Sequence, residues 1–390
     1  MHMEKNIVNG KSTESSVSVY FSKKNIEETI SLQLTLGDSV YSLTKKVFVE
    51  DVPTRSMLIA KKDGKIMRKR MYDNGDESLV ETGISSGSHP FNIQAHANYL
   101  YIFDAGTNVG SLISEVTGKS GDGNIRKIDL STEAVTEIIH NRNTSAEHGF
   151  YNGYVTNSNI YWTDFGGVVY KNMNDNSVLG AFEWKGNLDE QTTVPYYLVK
   201  ADRLGYYGHG LNSRQLNAGI YVYDNVYYWA KGGSGAGLYR FYSSDILDHN
   251  VAETDAVPEL GSILKSYSIR TFKIDHVNQK IYFSVTAPAE AVGFWVANVS
   301  GTNPVRIDNA PMSTPVEYIS SIAIDYIRDR VYWSYIASGN LNQDYFDLNP
   351  THRSGVKYVQ LSKSNYVDKD IQYFAPDISA YGIAIDEVKR

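Results

Sequence analysis

The chain has 390 residues, enough for two or three average domains or one large all-β domain with a small companion, and its 42% hydrophobic content excludes a disordered polymer. Thirty Tyr and 31 Gly favour pleated strands joined by tight turns, while the lack of Cys excludes disulfides, thiol chemistry and thiolate metal sites. The net charge is only -7, and the Lys and Arg residues are scattered rather than striped, so nucleic acid is not an expected partner.

In chain order, Met1-His2-Met3-Glu4-Lys5 lacks the apolar stretch of a secretion signal and reads as an added leader or as the stub left after trimming. No run approaches the roughly 18 apolar residues that span a bilayer. Residues 1–52 then form a unit of their own. Ser15 to Phe21, Thr29 to Leu36 and Tyr41 to Glu50 alternate apolar and polar residues with period two, which predicts three strands, half a sandwich, with Gly37-Asp38 turning the last pair. The stretch TISLQLTLGDSVYSLTKKVFVEDV resembles the closing hairpin of PKD-like, immunoglobulin-type domains. The resemblance implies a partial module of that kind.

From about residue 56 the sequence repeats. Tyr99 to Asp104, Asn159 to Asp164, Val226 to Trp229, Lys280 to Phe283 and Arg330 to Trp333 are five versions of one strand. Upstream of them lie Pro90 to Ala97, Tyr151 to Thr156, Gly219 to Tyr223, Ile269 to Asp275 and Ile319 to Asp325. Downstream strands are predicted at Asn124 to Leu130, Gly167 to Met173, Gly237 to Phe241 and Gly293 to Val299. The unit is a four-stranded meander, the blade of a β-propeller. A sixth unit is split between the ends. Ile378 to Lys389 repeats the first-strand pattern of Ile319 to Arg330, and its missing partners stand at Ser56 to Ala60, Gly64 to Met71 and Ser78 to Glu81. Pairing the C-terminal strand with these N-terminal strands would close a six-bladed ring over residues 53–390 and leave no sheet edge exposed.

NSNIYWTDFGGVVYKNMNDNSV (157–178), IAIDYIRDRVYWS (322–334) and GFWVANVSGTNPVRI (293–307) resemble the YWTD repeats of lipoprotein-receptor-type six-bladed propellers. One repeat keeps the whole motif, Tyr161-Trp162-Thr163-Asp164; the others read YIFD, YYWA, YFSV and YWSY. Insertions at 105–123, 185–217 and 336–354 depart from the receptor pattern and resemble looser propellers that follow PKD-like modules in surface proteins of gut Bacteroidetes. The resemblance implies export to the cell surface or periplasm.

Asp104 and Asp164 end second strands, while Asp275, Asp325 and Asp386 end first strands. Recurrence at equivalent positions assigns them to the blade, as acceptors for turn amides, rather than to acid–base chemistry. Three histidines stand near the starts of first strands: His89 before Pro90, His148 shortly before Tyr151, and His209 within Gly208-His-Gly210. They would meet at one channel mouth as ligands for a metal or substrate, or else each packs in its own turn. The insertion Val194 to Asn217 brings Tyr206, Tyr207 and Arg214 towards the same side, either as a ligand surface or as a flap over a blade edge.

Enzyme signatures fail on reading. Gly232 to Gly237 has Ala236 where a nucleophile elbow needs Gly, and Gly118-Lys-Ser120 has Ile113 where a phosphate loop needs its first Gly. No H-E-x-x-H or calcium-loop pattern occurs. The expected function is a monomeric, extracytoplasmic, non-catalytic binding module without cofactor or metal. Its ligand would be a protein, peptide or glycan on a loop face built from His89, His148, Tyr151, Tyr206, Tyr207, His209 and Arg214. The alternative is a propeller hydrolase or lyase with a His/Arg site at the channel mouth, and a third reading is a structural spacer.

Overall fold

The computed structural model describes residues 26–36, 39–49, 55–61, 63–71, 76–80, 82–84, 86–107, 123–140, 152–164, 167–173, 199–200, 219–223, 226–231, 236–242, 263–308, 317–337, 354–363, 365–366 and 370–386. The chain divides into two units, residues 1–54 and 55–390.

In the first unit, β1 (Ile26–Leu36) and β2 (Ser39–Val49) form one antiparallel hairpin whose register runs from Leu36↔Ser39 to Ile26↔Val49. These are the last two of the three expected strands. The first, Ser15 to Phe21, lies outside the described residues.

The second unit opens with β3 (Ser56–Lys61), β4 (Ile66–Arg70) and β5 (Asp76–Val80). Four more strands follow: β6 (Asn92–His96), β7 (Tyr99–Asp104), β8 (Asn124–Asp129) and β9 (Val135–His140). Next come β10 (Asn152–Val155), β11 (Asn159–Asp164), β12 (Gly167–Asn172) and β13 (Val199–Lys200), then β14 (Ile220–Tyr223), β15 (Val226–Lys231) and β16 (Gly237–Tyr242). After β17 (Ser268–Asp275) and β18 (Lys280–Ala287), a 3-10 turn at Ala289–Ala291 precedes β19 (Gly293–Asn298) and β20 (Val305–Asp308). The chain ends through β21 (Glu317–Asp325), β22 (Arg330–Ala337), β23 (Ser354–Gln360), β24 (Gln372–Pro376) and β25 (Ala380–Asp386).

These strands make antiparallel meanders in sequence order, β6 to β9, β10 to β13, β17 to β20 and β21 to β24, with a three-stranded sheet of β14 to β16 between the second and third. The remaining sheet is ordered β25-β3-β4-β5, so the last strand of the chain pairs with the first strands of the unit. Its register, Asp386↔Ser56 to Gly382↔Ala60, is the expected closure. The innermost strands touch in a circle: β25 with β6, β6 with β10, β10 with β14, β14 with β17, β17 with β21, and β21 with β25. The fold is an all-β propeller.

The second strands read as continuous apolar runs because each sheet buries both faces. Alternate residues of β18 enter different cores: Ile281, Phe283 and Val285 pack with Ile269 and Phe272, whereas Tyr282 packs with Phe294 and Trp333 across the next boundary. Strand β22 repeats the division, with Val331, Trp333 and Tyr335 on one side and Tyr332 with Met57 and Ile383 on the other. The repeated Tyr thus bridges sheets. Tyr161 meets Tyr227 hydroxyl to hydroxyl at 3.0 Å, and the Tyr101 hydroxyl reaches Met173 Sδ at 3.6 Å.

Two of the recurring Asp residues, Asp275 and Asp325, hold the turns that follow their strands. Asp275 Oδ1 accepts the amides of Val277 and Asn278, each at 3.0 Å, and Asp325 Oδ1 accepts those of Ile327 and Arg328 at 3.0 and 3.2 Å. Asp325 also pairs with Arg328 at 2.7 Å and, across the closing boundary, with Arg55 at 3.3 Å.

Candidate functional site

Neighbouring innermost strands run parallel and are tied by side chains. Asn92 Nδ2 donates to Asn152 Oδ1 at 3.3 Å, Gln94 binds the backbone of Val155, and His96 Nε2 meets Asn157 Oδ1 at 3.1 Å, so the partners advance together along β6 and β10. Between β21 and β25, Ser321 Oγ accepts the Ile383 amide at 3.1 Å and donates to its carbonyl at 3.2 Å, while Ser320 binds the Tyr381 carbonyl.

Small residues let neighbouring sheets approach closely. A Cβ on Gly153 would sit 1.9 Å from the Phe103 ring, and one on Gly382 would sit 2.9 Å from the Pro90 carbonyl oxygen. The strands enclose a central cavity of about 500 Å³ lined from all six sheets, by Gln94, Tyr154, Tyr221, Lys273, Ser321 and Asp386 among others.

One mouth lies where the innermost strands turn outward into their second strands. Tyr223 ends β14, His276 follows β17, Tyr326 follows β21 and Asp386 ends β25. Aromatic groups form a ladder there. The Tyr154 and Tyr221 rings lie 4.5 Å apart, the Tyr221 hydroxyl meets His276 Nε2 at 2.9 Å, and the His276 ring stacks on Tyr223 at 3.4 Å and 18°. Lys273 Nζ stands 5.5 Å from the centre of the Tyr221 ring. Tyr223 and Tyr326 remain 42% and 44% exposed, and Val277 and Ile327 beside them are more exposed still.

Burial sets the protonation of this ladder. It lowers His276 below the ordinary imidazole value, with Asp275 opposing and Lys273 assisting. It also pushes the Tyr221 hydroxyl well above the usual phenol range, helped by Tyr154. At neutral pH both groups are therefore uncharged.

At the opposite ends of the innermost strands, His89 is 1% exposed. Its Nδ1 lies 2.7 Å from the Gly106 carbonyl oxygen, and its ring packs on Phe91 and Tyr381. The fully buried Asp104 fixes that turn by accepting Ser88 Oγ, the His89 and Gly106 amides (each at 3.1 Å) and Asn124 Nδ2 at 3.2 Å. His148, Tyr151, Tyr206, Tyr207, His209 and Arg214 lie outside the described residues. Sequence reasoning missed Tyr221, Tyr223, His276 and Tyr326. The available signal was a run of aromatics and His placed immediately after first strands, in Tyr221-Val-Tyr223, Asp275-His276 and Asp325-Tyr326. Among the described residues, no three His, Asp or Glu side chains group to hold a metal ion.

No family model matches the chain, and no curated protein matches it. Among solved structures, it is similar to a quinonprotein alcohol dehydrogenase-like protein of Bacteroides thetaiotaomicron (12% identity over 92% of this chain and 82% of that one, TM-score 0.40). It is also similar to the extracellular domain of a hybrid two-component system of the same species (10% identity, 74% and 28%, TM-score 0.38). A third is a protein designated a 6-phosphogluconolactonase in Bacteroides fragilis (9% identity, 86% and 98%, TM-score 0.43). Similarity at this level transfers no activity.

Proposed function

We propose that this protein is an extracytoplasmic, non-catalytic binding module, a YWTD-type propeller of six blades (residues 53–390) following a partial PKD-like segment (residues 1–52). The cyclic contacts among six innermost strands support the blade count, with β14 to β16 as the sixth blade. The partner is a protein, peptide or glycan. The observation that carries the binding role is the channel mouth, where Tyr326 stands exposed on the lining of a cavity of small-ligand size and Tyr223 stands exposed against His276, which lines the same cavity. A second candidate set is His148, Tyr151, Tyr206, Tyr207, His209 and Arg214; His89, expected to belong to it, is buried against Phe91 and Tyr381 and falls outside it.

The test is to probe the labelled protein against glycan and peptide arrays, then map hydrogen exchange with the strongest binder. Protection at Tyr223, His276 and Tyr326 supports the mouth, and protection confined to the 194–217 segment supports the second set. Turnover of any bound probe would replace the binding role with the hydrolase or lyase alternative.

A further inference from the structure

We propose that the channel mouth is a site for an uncharged oligosaccharide, with one pyranose ring stacked on Tyr223. This rests on the binding-module reading and narrows it.

The first support is a rigid platform. An exposed tyrosine ring ordinarily loses rotamer freedom when a ligand settles on it. Here the Tyr223 ring already lies nearly parallel to the His276 imidazole, and the Tyr221 hydroxyl fixes that imidazole in turn. Much of the ordering cost is therefore met before binding. The residue still keeps 42% of its surface in water, with one ring face against His276. The C–H face of a pyranose is apolar and weakly positive, and it complements the electron-rich face of a tyrosine ring. Tyr223 adjoins the cavity through His276, and Tyr326, on the turn after β21, supplies a second exposed residue in the cavity lining.

The second support is the mixture of groups around the cavity. Hydroxyls of tyrosine, a neutral imidazole, an ammonium (Lys273) and a carboxylate (Asp386) line it together with apolar strand residues. A purely apolar ligand would bury these polar groups against hydrocarbon, which is unfavourable. A polyanion would meet Asp386 and a chain of net charge -7. A sugar matches the mixture, since each ring has an apolar face and an edge of hydroxyls that both donate and accept. The volume of about 500 Å³ lies inside the range of roughly 300 to 1,000 Å³ found for small-ligand sites.

The experiment titrates the full chain by calorimetry and saturation-transfer NMR. The probes are maltotriose, cellotriose, xylotriose, mannotriose and triacetylchitotriose, with sialyllactose, trigalacturonate and a tyrosine-rich peptide library alongside. At least one neutral saccharide should bind with a Kd of about 1 mM or tighter. Tyr223→Ala should weaken that binding by roughly tenfold, while Tyr223→Phe, which keeps the ring, should stay within about threefold of the wild type. Val305→Ala, an exposed change on β20, should leave binding unaltered, and thermal melting should report the same fold in all variants. Binding of no neutral saccharide, or binding indifferent to Tyr223→Ala, overturns the inference. If acidic saccharides or peptides bind at the mouth instead, the binding-module reading stands without it. If nothing in either class binds, both fall.

Discussion

Gln94 joins β6 to β10 through both polar atoms of its amide: Nε2 donates to the Val155 carbonyl at 2.9 Å and Oε1 accepts the Val155 amide at 2.8 Å. One side chain thus does between sheets what a ladder pair does within one. Ser321 repeats the device with a single oxygen towards Ile383. Adjacent blades touch mainly through apolar side chains, which are non-directional, so these polar ties set how far one innermost strand slides along the next.

Gln94→Ala strips both partners from the Val155 peptide groups and should destabilise the propeller by about 1–3 kcal/mol. Gln94→Glu should lose nearly as much, because the donor disappears. Urea unfolding checks both, with an unchanged slope identifying a pure stability effect.

Asp104 is fully buried and accepts four hydrogen bonds that join the turn before β6, the residues after β7 and Asn124. Asp104→Ala leaves those donors without their acceptor inside the protein and should cost about 3–5 kcal/mol. Asp104→Asn keeps the shape and some acceptor capacity, and should cost clearly less. Thermal melting of the two variants measures the difference.

Gly153→Ala tests the close approach of neighbouring sheets. Its new methyl would fall on the Phe103 ring, a buried side chain of the neighbouring sheet, so a loss of at least about 1–3 kcal/mol is expected. The double variant Gly153→Ala/Phe103→Leu should recover part of it. A melting temperature unchanged by Gly153→Ala would contradict the packing.

Ring closure predicts an asymmetric response to truncation. Deleting residues 378–390 removes β25 and leaves the edge of β3 bare, together with the pocket that Ile383 and Ile385 fill beside Met57 and Ile59. The shortened chain should aggregate or fail to fold cooperatively, read by size-exclusion chromatography and circular dichroism.

The pH dependence has a definite sign at each end. Burial raises the Tyr101, Tyr154, Tyr221, Tyr282, Tyr332 and Tyr366 hydroxyls above the ordinary phenol value of 10.0. The stability that follows is complete below the unfolded-state value and is lost as pH rises through the folded-state values. Phenolate absorbance should therefore show a class of tyrosines that ionises only together with unfolding. His276 is displaced downward from 6.5, so its contribution is present above that value and disappears as pH falls through the folded-state value. The urea midpoint of the wild type should drop more steeply than that of His276→Gln as pH is lowered from about 7 to about 5.

The sequence by itself marked the first and second strand of each sheet and the circular closure, whereas β9, β23 and β24 emerged only in the folded sheets. Strand register is encoded locally, in period-two or fully apolar runs, and the tight turns carry their own acceptors in Asp275 and Asp325. The split blade was legible because ISAYGIAID repeats ISSIAID while its partners stand at Ser56 and beyond. The site was not legible in this way. Tyr154, Tyr221, His276 and Tyr326 lie on different sheets and meet only because the innermost strands run parallel around one axis. Local pattern likewise could not tell that His89 would turn inward against Phe91 and Tyr381. Side-chain direction at a strand end depends on what the neighbouring blade leaves open. That packing is settled by contacts between residues 60 or more positions apart, such as Asn92 with Asn152 and Ser321 with Ile383, and only the tertiary structure contains them.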